Sequence, residues 1–215
     1  MPETDATATL KNLHNGVTLN IVNSATLPDP AVFLSSTEIK KYNSFKVPKR
    51  RTDWLGGRYA AKTLLTSIAL REAPVSIEIS YDDFGRPRAA GQLISISHSN
   101  GWAVAAIKAG GGDFIGVDIE AIEERSEAWR SDYFTPGELK EGGPSEATKT
   151  WTVKEAALKA LGLGLKADLR DARVINGALS FHGAALERHR ALGVPVLSAD
   201  SLLFKNAFWI TAVSA

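Results

Sequence analysis

Asp118 and Glu120 close an otherwise apolar stretch, Phe-Ile-Gly-Val-Asp-Ile-Glu, at 114–120. Residues two apart on a strand point to the same face. The two carboxylates therefore share one face and Ile119 takes the other. Held about 6–7 Å apart, two such charges repel by about 2 kcal/mol at an effective dielectric near 20. A cation between them removes that cost, whether it is a metal ion or a neighbouring Lys or Arg. A solvated strand end makes it small. Glu155 and Lys159, in WTVKEAALKALGLGL at 151–165, stand four apart, with Trp151 one turn earlier. That spacing puts them on one helix face, either as an exposed ion pair or with Glu155 as a third carboxylate beside the first two. Asp118, Glu120 and Glu155 together form a hard, all-oxygen donor set, which suits Mg²⁺ rather than Zn²⁺.

Cationic side chains of the same kind of interest lie upstream. His98 sits between Ser97 and Ser99 in ISISHSNGW, 94–102. It is either a turn residue bonded to backbone or a hydrogen-bond donor to a phosphate oxygen. Arg51, Arg58 and Lys62 fall within about 40° of one another on a helical wheel. They form either a solvated face or a phosphate clamp. In DDFGRPRAAG, 82–91, Gly85 and Pro87 mark a turn and Arg86 and Arg88 add cations. An ordinary surface loop would have the same composition.

The elements that must hold these groups are legible in outline. Residues 1–9 lack an apolar pattern and are expected to be disordered. Val17 to Val22 alternates as a half-buried strand does. SSTEIKKYNSF suits a short helix capped by Ser36. A longer helix is expected from Pro48 to Leu70, with proline well placed at its start. Strand signals follow at 75–80, 92–97, 102–108 and 114–119, with Asn100-Gly101 as a hairpin turn. A second helix is expected from Ser145 to Leu161, ended by Gly162. Strand-like stretches then come near 172–176, 178–182, 194–198 and 207–213. A helix with antiparallel strands, twice over, predicts an α+β fold of two similar halves, 1–112 and 113–215, related by a pseudo-twofold with the site between them.

Composition narrows the function classes. The chain has 215 residues, 44% of them hydrophobic, with a formal net charge of +1. That balance carries no overall electrostatic footprint for nucleic acid or a membrane surface. No apolar run reaches the length of a transmembrane helix, and the first residues do not read as a signal peptide. With no cysteine, disulfides, thiolate nucleophiles and Cys-based zinc sites are excluded. Cytoplasmic residence is the expectation.

In order along the chain stand GRP (85–87), SISHS (95–99), GVDIE (116–120), FTPGE (134–138) and WTVKEAALK (151–159). The series resembles the 4'-phosphopantetheinyl transferases of the surfactin-synthetase-activating type, in their Trp…Lys-Glu-Ala form. RRTDWLGGRYAAK, 50–62, is similar to the basic N-terminal helix of that family. The resemblance covers roughly residues 48–165, with Arg86 where the family often has lysine. It implies coenzyme A and an apo carrier protein as substrates. Phosphopantetheine moves to a carrier serine and 3',5'-adenosine bisphosphate leaves. It further implies Mg²⁺, with Mn²⁺ as an alternative, on Asp118, Glu120 and Glu155. Lys159 and His98 are implied at the pyrophosphate, and Arg51, Arg58 and Lys62 at the 3'-phosphate or the rest of the nucleotide. Arg86 and Pro87, with Ser97 nearby, are implied beside the adenine. Glu155 is also implied as the base for the serine. The segment 122–150, with Trp129, Tyr133 and Phe134, is expected to meet the carrier, and the two-halved length suits a monomer. Another Mg²⁺-dependent nucleotide phosphotransferase or hydrolase, or a silent carrier-binding relative, would use parts of the same set.

Overall fold

Alternation along one strand sets how the layers meet. The computed structural model describes residues 8–68, 72–108, 110–140, 142–193 and 196–215. In the first half, β1 (Ala8–Asn12), β2 (Val17–Asn23), α1 (Ser36–Ser44) and α2 (Pro48–Ile68) precede three short strands, β3 (Ser80–Tyr81), β4 (Pro87–Ala89) and β5 (Gln92–Leu93). A hairpin, β6 (Ser95–Ser99) and β7 (Trp102–Lys108), completes it. The second half runs β8 (Ile115–Ala121), α3 (Glu127–Tyr133), α4 (Pro144–Ala160), β9 (Ala172–Ile175), β10 (Ala178–Phe181), α5 (Gly183–Ala191), β11 (Ser198–Phe204) and β12 (Phe208–Ser214).

The main sheets have the order β1-β2-β7-β6 and β11-β12-β8. Both share one connectivity: a strand, a long helix, then a hairpin whose second strand pairs back on the first. The α+β class and the two similar halves expected from the sequence are found. Ile115, Val117 and Ile119 of β8 join Leu19, Ile21 and Val104 of the other sheet in a core between the sheets. The opposite face of the first sheet, with Ala103, Ala105 and Ile107, packs on Ala60, Ala61, Leu64 and Leu65 of α2. Val213 of the second sheet packs on Ala156, Ala157 and Ala160 of α4. The order of layers is α2, sheet, sheet, α4.

Since Ile115, Val117 and Ile119 point into the inter-sheet core, Gly116, Asp118 and Glu120 point towards α4. Gly116 shows how close that helix comes. A Cβ there would lie 1.9 Å from the Ala156 carbonyl oxygen and 2.6 Å from the Ala160 nitrogen, both backbone atoms. Gly116→Ala is therefore expected to destabilise the fold by about 1–3 kcal/mol or more, because overpacking against backbone has no side chain to move aside. A thermal melt within error of wild type would refute the close approach.

Several boundaries differ from the sequence reading, each for a local reason. The cap of α1 is Ser35, not Ser36: Ser35 Oγ accepts from the Glu38 N–H and Glu38 returns the bond to the Ser35 N–H. Pro74 opens a short 3₁₀ turn, so the 75–80 alternation gives a strand only at Ser80–Tyr81, although Ile77 and Ile79 are still buried. Residues 92–97 split between β5 and β6. The final hairpin begins at Ser198, at the end of the 194–198 stretch; 194 and 195 lie outside the described residues, as do 69–70 of the first helix and 1–7 of the N-terminus. Ala8 and Thr9 are strand. The polar helices α3 and α5 carry too few core positions to announce themselves.

Candidate active site

Three serines join the two halves. Ser95, Ser97 and Ser99 alternate along β6, so all three face β8, while Ile96 and His98 face α2. Ser95 Oγ accepts from the Val117 N–H at 2.8 Å, and Ser99 Oγ accepts from the Ala121 N–H at 3.4 Å. The matched increments show β6 and β8 running in the same direction. Side-chain hydroxyls stand where a backbone ladder would be, which satisfies buried donors of β8. They also leave hydroxyl protons for the carboxylates: Ser97 Oγ donates to Asp118 Oδ1 at 2.7 Å and Ser99 Oγ donates to Glu120 Oε2 at 3.2 Å.

Lys159 enters the same cluster from α4. Its Nζ donates to Asp118 Oδ1 at 2.7 Å, to Ser97 Oγ at 3.0 Å and to the Val117 carbonyl at 3.2 Å. Asp118 is 3% exposed, and its Oδ2 is buried without a hydrogen-bond partner. Burial, then the Asp118 charge, pushes the Glu120 carboxyl up to about 7, against the Ser99 hydrogen bond and Lys159. Burial also raises Glu155, with Lys159 opposing and Asp118 adding. Glu155 accepts no hydrogen bond among the described residues.

The expected three-carboxylate enclosure is not formed. Among the described residues, no three His, Cys, Asp or Glu side chains stand close enough to hold a metal ion. Lys159 is inserted at Asp118 instead, so part of the repulsion between Asp118 and Glu120 is relieved by an ammonium. The donor set still fits a divalent cation. Asp118 has an unpartnered buried oxygen, and two neighbouring carboxyls are held up by burial and like charge, which are the costs a bound cation removes.

This cluster opens into a cleft between the halves. A cavity of about 380 Å³ is lined by Arg86, Pro87, Ile96, Lys159 and Lys166. A second, of about 300 Å³, shares Gly85, Pro87 and Ile96 with it and continues to Arg50, Asp53, Arg58 and His98.

The basic helix does not present its cations as one line. Lys62 is completely buried, donating to the Phe33 carbonyl at 2.8 Å and paired with Glu38. Arg58 is also buried; it pairs with Glu38 at 3.3 Å, donates to the Tyr81 hydroxyl at 2.7 Å and lies over Trp54. Arg51 turns away to the Tyr42 carbonyl and ring. The assignment of Lys62 and Arg51 to a phosphate clamp is corrected on these grounds: one is enclosed and the other faces α1. Arg50, one residue off the expected line, is an exposed cation of this helix that lines the cleft.

Arg86 has a mixed position. Its Nε is 2.8 Å from Asp82 and its Nη1 donates to the Asp113 carbonyl at 2.9 Å, which ties the Gly-Arg-Pro turn to the second half. His98 is half exposed, with Nδ1 3.7 Å from Asp53 Oδ2. In the 122–150 segment the aromatics are pinned. Trp129 stacks on Trp151 at 4.7 Å, Tyr133 meets Trp151 edge-on at 4.8 Å and Phe134 is buried.

Three ion pairs, on two carboxylates, were not visible as such in the sequence. Glu38 holds Arg58 and Lys62; Glu138, of the Phe-Thr-Pro-Gly-Glu stretch, holds Lys154 at 3.0 Å. The available signals were the Ser-x-x-Glu spacing at 35–38 and the lysine beside Glu155.

The sequence model of the 4'-phosphopantetheinyl transferase superfamily matches residues 114–194, which carry Asp118, Glu120, Glu155 and Lys159. A holo-[acyl-carrier-protein] synthase of Lactococcus lactis is 38% identical over 85 residues, 34% of this chain and 71% of that protein. The chain belongs to the 4'-phosphopantetheinyl transferase superfamily. A second relative in this superfamily of transferases is the 4'-phosphopantetheinyl transferase HetI of a Nostoc species, 31% identical over 154 residues. That match spans 65% of this chain and 64% of HetI. A holo-[acyl-carrier-protein] synthase structure from Neisseria meningitidis covers 48% of this chain and 98% of its own, at 21% identity and a TM-score of 0.40.

Proposed function

We propose that this transferase moves 4'-phosphopantetheine from coenzyme A to a serine of an apo carrier protein and releases 3',5'-adenosine bisphosphate, in the manner of the surfactin-synthetase-activating type. The observation that carries the reading is the Lys159–Asp118–Ser97 unit at the mouth of an inter-half cleft lined by further cations. Phosphoryl transfer needs positioning and charge neutralisation more than covalent help. Lys159 is part exposed and already oriented by Asp118 and Ser97, so it meets a pyrophosphate oxygen with little reorganisation. His98 donates to the same group. Arg50 replaces Lys62 and Arg51 as the cation for the nucleotide end, and Arg58 supports it from within the wall. Arg86 and Pro87 line the neighbouring cavity on the adenine side, where the Arg86 contacts fix the turn.

Asp118 and Glu120, with Glu155, would hold Mg²⁺, or Mn²⁺ in its place. The metal when bound supplies charge neutralisation at the pyrophosphate oxygens. Glu155, with a carboxyl raised by burial and no hydrogen bond among the described residues, would serve either as the third ligand or as the group that takes the serine proton, since a carboxylate that holds a cation is a weak base.

The same reading treats 1–112 and 113–215 as pseudo-twofold halves of a monomer that acts in the cytoplasm. Among the described residues no helix is long and apolar enough to cross a membrane. The 122–150 segment remains the proposed carrier contact through its exposed parts, with Phe134 and the Trp129–Trp151 stack serving as its anchor.

Incubation with coenzyme A, Mg²⁺ and a panel of apo carriers, followed by intact mass, tests the proposal. The expected result is a phosphopantetheine adduct on at least one carrier, abolished by excess chelator. Turnover of coenzyme A or nucleotides with every carrier unmodified would point to a hydrolase instead, and binding of carriers with no chemistry to a silent relative.

A further inference from the structure

A carboxylate lines the cleft where an anionic substrate is expected, and this asks for a reason. Asp53 is 8% exposed and stands on the wall that also carries Arg50, Arg58 and His98. Its Oδ2 is 2.7 Å from Lys49 Nζ and 3.7 Å from His98 Nδ1. Lys49 is largely exposed, so water screens it, whereas Asp53 is held between α2 and the imidazole.

The ring geometry supplies the reason. At 3.7 Å the approach is longer than a hydrogen bond, so Asp53 acts on the ring as a neighbouring charge and favours its protonated form. A neutral ring carries one proton, and with that proton on Nδ1 its Nε2 is an acceptor that cannot pair with a phosphate oxygen. Only the imidazolium carries a proton on both nitrogens, so that Nδ1–H faces the Asp53 charge while Nε2 donates to an anion in the cleft. We propose that Asp53 is a positioning residue: its buried charge beside Nδ1 favours the imidazolium, whose Nε2 is a donor towards the phosphate-bearing substrate. This rests on the functional reading above for the identity of the substrate, but not for the state of the ring.

The surroundings of His98 show why a dedicated partner is needed. Burial favours the neutral ring, Asp53 opposes it, and Lys159 of α4 and Lys49 of α2 side with burial, so that in the protein without substrate the ring is held below its ordinary value and Asp53 limits the fall. The remaining charged or titratable groups on the wall are Arg50 and Arg58 of α2 and the Tyr81 hydroxyl of β3. Among the side chains that act on the ring, Asp53 alone favours the cation.

The test is an NMR titration of the His98 ring in the whole protein, assigned among four histidines with His98→Gln. Asp53→Asn keeps the shape and is expected to lower the His98 midpoint by about one pH unit or more, the usual effect of losing an opposite charge at this range. Lys49→Ala removes a competing cation and is expected to move the midpoint the other way. In the transfer assay, kcat/KM for coenzyme A falls as pH rises through the His98 midpoint, and in Asp53→Asn that fall comes at lower pH. A merely structural Asp53 would change the melting temperature and leave both midpoints in place, which would overturn the inference. An unmoved midpoint in an active enzyme overturns it too. A moved midpoint in a protein that modifies no carrier would instead sink the functional reading and leave the dyad standing.

Discussion

Asp118→Asn is expected to reduce phosphopantetheine transfer by about 10²–10³-fold, the scale of losing one preorganised charge-stabilising group. Asparagine preserves volume and can still accept from Ser97 and Lys159 through its carbonyl oxygen. What it lacks is the charge. The Lys159 ammonium would lose its ion pair at 2.7 Å, and the unpartnered Oδ2 would become an amide that cannot ligate a cation. Both losses fall on the transition state more than on coenzyme A binding, so kcat should drop more than KM rises. A binding readout separates the two effects. Mg²⁺ should raise the melting temperature of the wild type, because a ligand that binds only the folded state stabilises it by mass action. That rise should be absent in the variant. Transfer by Asp118→Asn at the wild-type rate, or wild-type transfer unaffected by excess chelator, would remove the carboxylates from the mechanism.

The sequence disclosed this centre unevenly, and the reasons are physical. Period-two alternation placed Asp118 and Glu120 on one face because successive side chains of a strand point to opposite sides; that inference depends only on pleat geometry. The helix spacing of Glu155 and Lys159 was equally local. That Lys159 Nζ would sit on Asp118 was a question of distance between elements 41 residues apart, which no local pattern encodes. The serines show the same limit. SISHS gives three hydroxyls on one face, but only the neighbouring strand reveals that they replace a backbone ladder. The basic helix misled for a related reason. Angular position predicts which residues share a line, not whether that line meets solvent. Lys62 lies under α1, and Glu38, buried by its capping role, neutralises it. A lysine can be enclosed at modest cost only with such a partner, and the partner came from a different helix. At the level of architecture the reading worked better, since two copies of strand, helix and hairpin leave their periodicities in order along the chain. Turns beginning at proline, as at Pro74, and polar helices such as α5 were lost because their sequences satisfy more than one local conformation.

Breaking the Lys154–Glu138 pair is expected to damage the fold more than any change on the cleft wall. Both side chains are fully enclosed, 0% exposed. Lys154 Nζ reaches both Glu138 oxygens at 3.0 Å and donates to the Tyr133 carbonyl at 2.7 Å, with the Phe134 ring 4.8 Å away. Glu138 also accepts from the Thr135 N–H at 2.6 Å and the Val174 N–H at 3.0 Å. One carboxylate thus ties together the loop after α3, the middle of α4 and β9. Glu138→Gln keeps the shape but leaves an ammonium buried without its counter-charge, at about 3–5 kcal/mol. Lys154→Met leaves the converse, a buried carboxylate, and should cost about as much. The double variant Lys154→Met/Glu138→Gln should lose less than the sum, because neither charge remains, while the amide oxygen can still take the Thr135 or Val174 proton. Urea unfolding at constant m-value measures each step. The pH dependence follows from the same carboxyl. Burial pushes Glu138 up, but the Thr135 and Val174 N–H groups and Lys154 outweigh it and hold it below the usual range. Its contribution is therefore full above the unfolded value, near 4.3, and is lost as pH falls through the lower folded value. Wild type should lose stability in that acid window and Glu138→Gln should lose less. A single variant within about 0.5 kcal/mol of wild type, the range of ordinary surface changes, would show that the pair is not a clamp. Its position gives the clamp a functional consequence. Lys154 is the immediate neighbour of Glu155 and lies just over one turn before Lys159, so fixing Lys154 on Glu138 fixes the rotation of α4. That rotation is what turns Glu155 and Lys159 towards β8 and the carboxylate of Asp118.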